Sequence, residues 1–109
     1  MKYVFLIYVD DARKVPENYA EMTERWVTEM GNRGIRLIGS RLRPAQEATT
    51  VTVLNGKLTL SDGPFAESKE HIAGLDIIEC GNLDEAIALA AQHPVASFAH
   101  IDVRPFWVE

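Results

Sequence analysis

The chain is short of the residues from which small-protein chemistry is most often built. Cys80 is the only cysteine among 109 residues, so no disulfide can close within the chain and no thiolate metal site can be assembled. Histidine is absent from the first seventy positions. The three present, His71, His93 and His100, are not at the i,i+4 helical spacing of a zinc site. A glycine-rich phosphate loop is missing, and Ser61 and Ser68 lack the setting of an activated nucleophile. No metal and no cofactor are therefore expected. The apolar opening, Met1 to Tyr8, is far too short to span a bilayer. No small-residue cleavage site follows it and Asp10-Asp11 come next, so a signal peptide is not expected and the default location is the cytoplasm. Positive charge is also scarce: 11 Lys and Arg face 16 Asp and Glu, a net charge of −5 with the signs interleaved. That balance disfavours direct nucleic-acid binding, which needs a concentrated cationic face. The one basic cluster, Arg33, Arg36, Arg41 and Arg43, reads as a solvated strand edge.

What is present reads as one folded domain over residues 1–109, 47 % of it apolar, which is enough for a core without cross-links. Lys2 to Val9 is apolar at both alternating sets of positions, as in a strand covered on two faces. Pro16 opens a helix in which Tyr19, Met22, Trp26, Val27 and Met30 form one apolar stripe, and Gly31 and Gly34 end it. Ile35 to Arg43 is a second strand closed by Pro44. Thr49 to Leu54 and Lys57 to Leu60 flank Asn55-Gly56, the strongest short hairpin signal. The two-residue turn predicts that Val53 faces Leu58, Val51 faces Leu60 and Thr52 faces Thr59. Period-2 counting then sets Asp62 on the face of Leu58 and Leu60.

Ile72 to Cys80 is a further strand, with Gly74 marking a close backbone approach. Cys80 itself reads as a small buried hydrophobe. Asn82 with Glu85 makes a capping-box start for a helix whose buried face is Leu83, Ala86, Ile87 and Ala90. His93, before Pro94, reads as a cation at that helix's C-terminus. A last strand begins at Ser97, with Ala99, Ile101 and Val103 on one face and His100, Asp102 and Arg104 on the other. The order, less the hairpin, is βαββαβ. The fold expected is α+β, a ferredoxin-like split unit with an inserted β-hairpin.

The string Ser61-Asp62-Gly63-Pro64-Phe65-Ala66-Glu67-Ser68-Lys69-Glu70 closely resembles the Asp-Gly-Pro-Phe-x-Glu-x-Lys-Glu signature of the DGPF branch of the YCII-related proteins. His100-Ile101-Asp102-Val103-Arg104-Pro105-Phe106 is similar to that family's closing strand. The resemblance covers essentially the whole chain. It implies a dimeric α+β barrel, in which two sheets pack face to face, and hence a homodimer.

Two classes of function stay open at this point. The first is an enzyme without a cofactor: relatives of the barrel include lyases, isomerases and dehydrochlorinases acting on cyclic or aromatic acids. Asp62, held beside Leu60, Pro64 and Phe65, would then be a desolvated general base. His71 and His100 are further catalytic candidates, and Gly63, Pro64, Phe65, Glu67, Lys69, Glu70 and Arg104 candidate contacts for an anionic ligand. The second is a binding or regulatory module for a small organic acid, since DGPF relatives are often associated with extracytoplasmic-function sigma factors. Several YCII-related proteins are thought to use a His-Asp dyad with its His on the first helix. Met22-Thr23 occupy that region here, so the dyad does not carry over.

Overall fold

The computed structural model describes residues 1–10, 12–66 and 69–108. Its main body is a four-stranded antiparallel sheet of order β2-β5-β1-β6, built from β1 (Lys2–Asp10), β2 (Arg36–Arg41), β5 (Glu70–Glu79) and β6 (His100–Pro105). Two crossovers, through α1 (Tyr19–Asn32) and α2 (Leu83–Ala91), lay both helices on one face. That is the expected βαββαβ arrangement. The inserted hairpin, β3 (Thr49–Leu54) and β4 (Lys57–Asp62), forms a separate two-stranded sheet.

Alternation along β1 decides which side chains face the helices. Tyr3, Phe5 and Ile7 are buried under them, opposite Ile78, Asp76 and Gly74 of β5. Trp26 and Met30 of α1, and Ala86, Leu89 and Ala90 of α2, close this core with Ile35 and Cys80. Each fully buried large side chain contributes on the order of 1.5–3 kcal/mol. The indole Nε1 of Trp26 donates to the Leu89 carbonyl at 3.1 Å, which ties the helices to each other.

The other sheet face carries Val4, Leu6 and Tyr8 of β1, Leu75 and Ile77 of β5, Ile38 of β2, and His100, Asp102 and Arg104 of β6. Among the described residues no further element covers it. The radius of gyration, 15.9 Å, exceeds the ~13 Å usual for a compact domain of this length. The accessible surface, 7924 Å², is about 1,800 Å² larger than the ~6,100 Å² expected for a monomer of this mass.

Several local expectations hold. Asn55 and Gly56 have φ of 53° and 77°, and the hairpin pairs Val53 with Leu58, Val51 with Leu60 and Thr52 with Thr59. A Cβ on Gly74 would stand 3.0 Å from the Ser40 carbonyl oxygen. Asn82 caps α2 by accepting from the Glu85 amide at 2.9 Å. Others need correction. Glu85 reaches back to the Gly81 amide rather than to that of Asn82. Leu83 and Ile87 are half exposed, and Leu89 is buried in their stead, because α2 turns its Ala86-Leu89-Ala90 edge to the sheet. β6 begins only at His100, a short 3-10 turn, Pro94–Ser97, taking up the preceding residues.

The Arg cluster also divides. Arg36 leaves the solvated edge and pairs through Nε with Oδ1 of Asp76 at 2.6 Å. Asp76 is only 3 % exposed, on the helix-covered face. Gly39 makes room for the pair: a Cβ there would collide with Asp76 Oδ1 and Arg36 Nη2, and would lie 2.8 Å from the Leu75 carbonyl oxygen. Gly39→Ala is therefore expected to destabilise the fold by about 1–3 kcal/mol, the usual cost of overpacking, read as a lower urea midpoint at unchanged slope. A wild-type midpoint would show that the pair has space to spare.

Candidate functional site

At one end of the uncovered face, strand pairing gathers a polar group. Tyr8 faces His100 across β1 and β6, and their rings stack with centroids 4.7 Å apart. Glu70, at the start of β5, approaches His100 Nδ1 at 3.4 Å. The Tyr8 hydroxyl is shifted upward, first by loss of solvent, then by the charge and hydrogen bonding of Asp102, with Glu70 adding to the shift and Arg104 opposing it. Two carboxylates thus flank one tyrosine and one histidine on the same strand face.

Beside this group, the stretch from β2 to the hairpin and the stretch from the hairpin to β5 enclose a cleft of about 470 Å³. Leu42, Pro44, Ala45, Ala48, Pro64, Ala66 and Ile72 supply its apolar lining, and Arg43, Glu47, Glu70 and His71 its polar atoms. Arg43 is held by Glu47 at 2.7 Å. The volume falls in the range of small-molecule sites. A depression of about 530 Å³ on the outer face of α1 is lined by one helix alone, from Glu21 to Arg33. It is a gap between surface side chains, since no second element converges on it.

The sequence candidates are distributed unevenly over this geometry. Pro64, Glu70 and His71 line the cleft, and Glu70 joins it to His100. Arg104 lies on the uncovered face opposite Val4. Lys69 is exposed, and Glu67 lies outside the described residues. Gly63, at φ 87°, closes the hairpin base: its amide donates to the Ala48 carbonyl at 2.7 Å and its carbonyl accepts from Thr50 Oγ1 at 2.9 Å. The expectation of a desolvated Asp62 is not met within one chain. Asp62 pairs with Thr49 on the face of Leu58 and Leu60, but that face is open, and Phe65 is 90 % exposed rather than a wall. Among the described residues the Asp62 carboxylate has neither an ion pair nor a bond to the local backbone. No trio of His, Cys, Asp and Glu among the described residues gathers in metal-binding geometry.

The profile of the YCII-related domain matches residues 1–107. The chain belongs to the YCII-related family. It is 40 % identical over 68 residues to an uncharacterized protein of Rhizobium meliloti (strain 1021), an alignment that takes in 61 % of this chain and 55 % of that protein. The chain therefore spans little more than half the length of that curated relative. Among solved structures it is similar to a 5-chloro-2-hydroxyhydroquinone dehydrochlorinase from Burkholderia phenoliruptrix AC1100 in complex with 2,5-dihydroxybenzoquinone. There the TM-score is 0.45 and the identity 13 %, over 98 % of this chain and 94 % of the other. No residue role transfers at that level of likeness.

Residues that sequence reasoning missed lie on the covered side of this YCII-related domain. Asp76 is pushed up from the usual carboxylate range by burial, with the Arg36 hydrogen bond and charge pulling the other way. His93, 2 % exposed, packs edge-on against Trp26 at 4.8 Å. It is a neutral acceptor rather than a helix-end cation, because its Nδ1 accepts from the Val95 amide at 3.0 Å. Burial, and then the charge of Arg36, lower its pKa to about 4. Cys80, with its thiol pushed up by burial and by Glu85, stays protonated and inert as expected. The signal for Asp76 was available: a lone carboxylate inside the apolar run Leu75–Ile78 needs a cation, and an arginine follows the glycine-ended first helix.

A histidine whose folded pKa lies below its unfolded value lets the unfolded chain bind the extra proton. His93 therefore stabilises fully above pH ~6.5 and less as pH falls toward ~4, for a total of about 3 kcal/mol. Asp76, raised in the fold, works in the opposite sense in acid. His93→Gln should flatten the loss of stability between pH 7 and pH 4, measured by urea unfolding at stepped pH. An unchanged slope would mean that His93 is not the group responsible.

Proposed function

We propose that this YCII-related domain of the DGPF type is a homodimeric module that binds a small organic acid in the cleft at the base of the hairpin. The observation that carries the reading is the composition of that cleft. Pro64, Ala66, Glu70 and His71 of the signature region form one side of it, and Glu70 connects it to His100 and Tyr8. Apolar walls would hold the body of a ring or short chain, and His71, with Arg43 if Glu47 releases it, would meet a carboxylate. The homodimer rests on the uncovered face and the excess surface, since apolar area of that extent marks an interface. It would bury more than ~1,200 Å² in total.

A second reading, a cofactor-independent lyase, isomerase or dehydrochlorinase acting on such an acid, draws on one specific feature. The Glu70 carboxylate lies 3.4 Å from His100 Nδ1 and can hold that ring in one orientation toward a substrate. In that reading Asp62 is the general base, and Lys69, Arg104 or His100 stabilises the developing negative charge. The regulatory form of the first reading, in which occupancy of the cleft is signalled to an extracytoplasmic-function sigma factor, uses the same site. The domain is expected in the cytoplasm under either reading.

A thermal-shift panel of benzoate, hydroxybenzoates and short dicarboxylates should raise the melting temperature of the wild type. His71→Ala and Asp62→Asn should each fold normally and lose the shift. Failure of every acid up to millimolar concentration would remove the ligand reading. Monomeric behaviour at micromolar concentration in light scattering would remove the homodimer.

A further inference from the structure

The hairpin is left without support by its own chain. Every residue of β4 is exposed, and in β3 only Thr50 is partly covered. Val51, Val53, Leu58 and Leu60 share one face and are each about 60 % exposed. An isolated two-stranded hairpin is marginal in water. The bonds at its base, Gly63 amide to Ala48 carbonyl and Thr50 Oγ1 to Gly63 carbonyl, join its two strands to each other and not to the main sheet. Its apolar face needs an occupant.

We propose that the occupant is a second copy of this chain: the hairpin seats its apolar face on the partner, and Asp62, at the hairpin's base, comes to lie at the partner's β6 edge, beside His100 and Arg104. The inference rests on the homodimer reading and adds to it which elements meet. Three features select this arrangement. First, the surface in excess of a compact monomer, about 1,800 Å² per chain, is more than twice the ~800 Å² that one partner gives to a standard interface. The uncovered sheet face alone is one of two surfaces that need burial; the hairpin is the other. Second, were the two-fold axis to lie between the sheets and parallel to the strands, it would reverse the order β2-β5-β1-β6 and set β2 of one copy over β6 of the other. The same axis would keep strand ends together. The hairpin leaves after Arg41 and returns at Glu70, which pairs with Asp10, at the sheet end where Tyr8 pairs with His100. The hairpin would then project at the His100 end of the second copy. Third, the hairpin's apolar face ends, at its base, in one carboxylate, Asp62, without an ion pair among the described residues, and the edge it meets carries the cation Arg104 together with His100, next to Asp102 and Glu70.

The site is then composite: each cleft is lined by one chain and closed by the other, and Asp62 acquires in the pair the apolar, cation-bearing surroundings that it lacks in a single chain.

The test uses the full chain. Asp62→Cys and His100→Cys are made on separate chains carrying tags of different size, with Cys80 left buried in both. Mixed and oxidised, they should give a covalent species of mixed size on a non-reducing gel. Leu58→Lys with Leu60→Lys, both at exposed positions, should leave the circular dichroism unchanged and weaken the dimer by about tenfold or more. If the wild type is a dimer but no mixed species forms and the lysines leave its affinity unchanged, this placement of the hairpin is wrong and the homodimer stands. If the wild type is a monomer in light scattering, the homodimer reading falls and the placement with it, the hairpin then belonging to some other protein.

Discussion

Two helices can cover one face of a four-stranded antiparallel sheet and no more. Everything else in this domain follows from that constraint. It makes Tyr3, Phe5 and Ile78 core residues, and leaves Val4, Leu6, Leu75 and Ile77 on the far side as apolar residues without a cover. It also sorts the polar residues into two kinds. Those on the covered side, Asp76 and His93, must be satisfied within the chain, and they are, by Arg36 and by the Val95 amide. Those on the uncovered side, His100, Asp102 and Arg104, are free to serve a ligand or a second surface.

The two sides differ in what their charges can do. The Arg36–Asp76 pair is closed in by Gly39 and by the core, so its worth lies in avoiding an unpaired buried charge rather than in net attraction. The Glu70–His100 contact is half exposed. Its direct effect on stability is small, and both groups stay open to solvent beside the neighbouring cleft. Chemistry is affordable on the side where the fold does not depend on it.

Much of this was legible in the residues. The hairpin register came from Asn55-Gly56, because a two-residue turn leaves no freedom in the pairing, and the close approach at Gly74 came from a lone glycine in an apolar strand. The βαββαβ order came from the spacing of apolar residues. What was not legible depended on contacts between elements far apart in the chain. Arg36 looked like one more surface arginine until β2 was set beside β5. Leu83 and Ile87 satisfied the helical period as well as Leu89 does, and only the seating of α2 on the sheet chose between them. The direction of Asp62 was legible from the hairpin register, whereas alternation gives a face but not what lies opposite it.

The exposed strand Thr49–Leu54, Thr-Thr-Val-Thr-Val-Leu, bears on solubility as well. It is six residues of high β propensity without charge, proline or glycine, and its sheet has only two strands, so one backbone edge is open. Such a segment is a template for cross-β stacking. β2, the edge of the main sheet, is protected by a bulge and flanking arginines; β3 has neither. Chains in which this edge stays uncovered would therefore associate through this strand, and that would be seen first as loss of soluble protein.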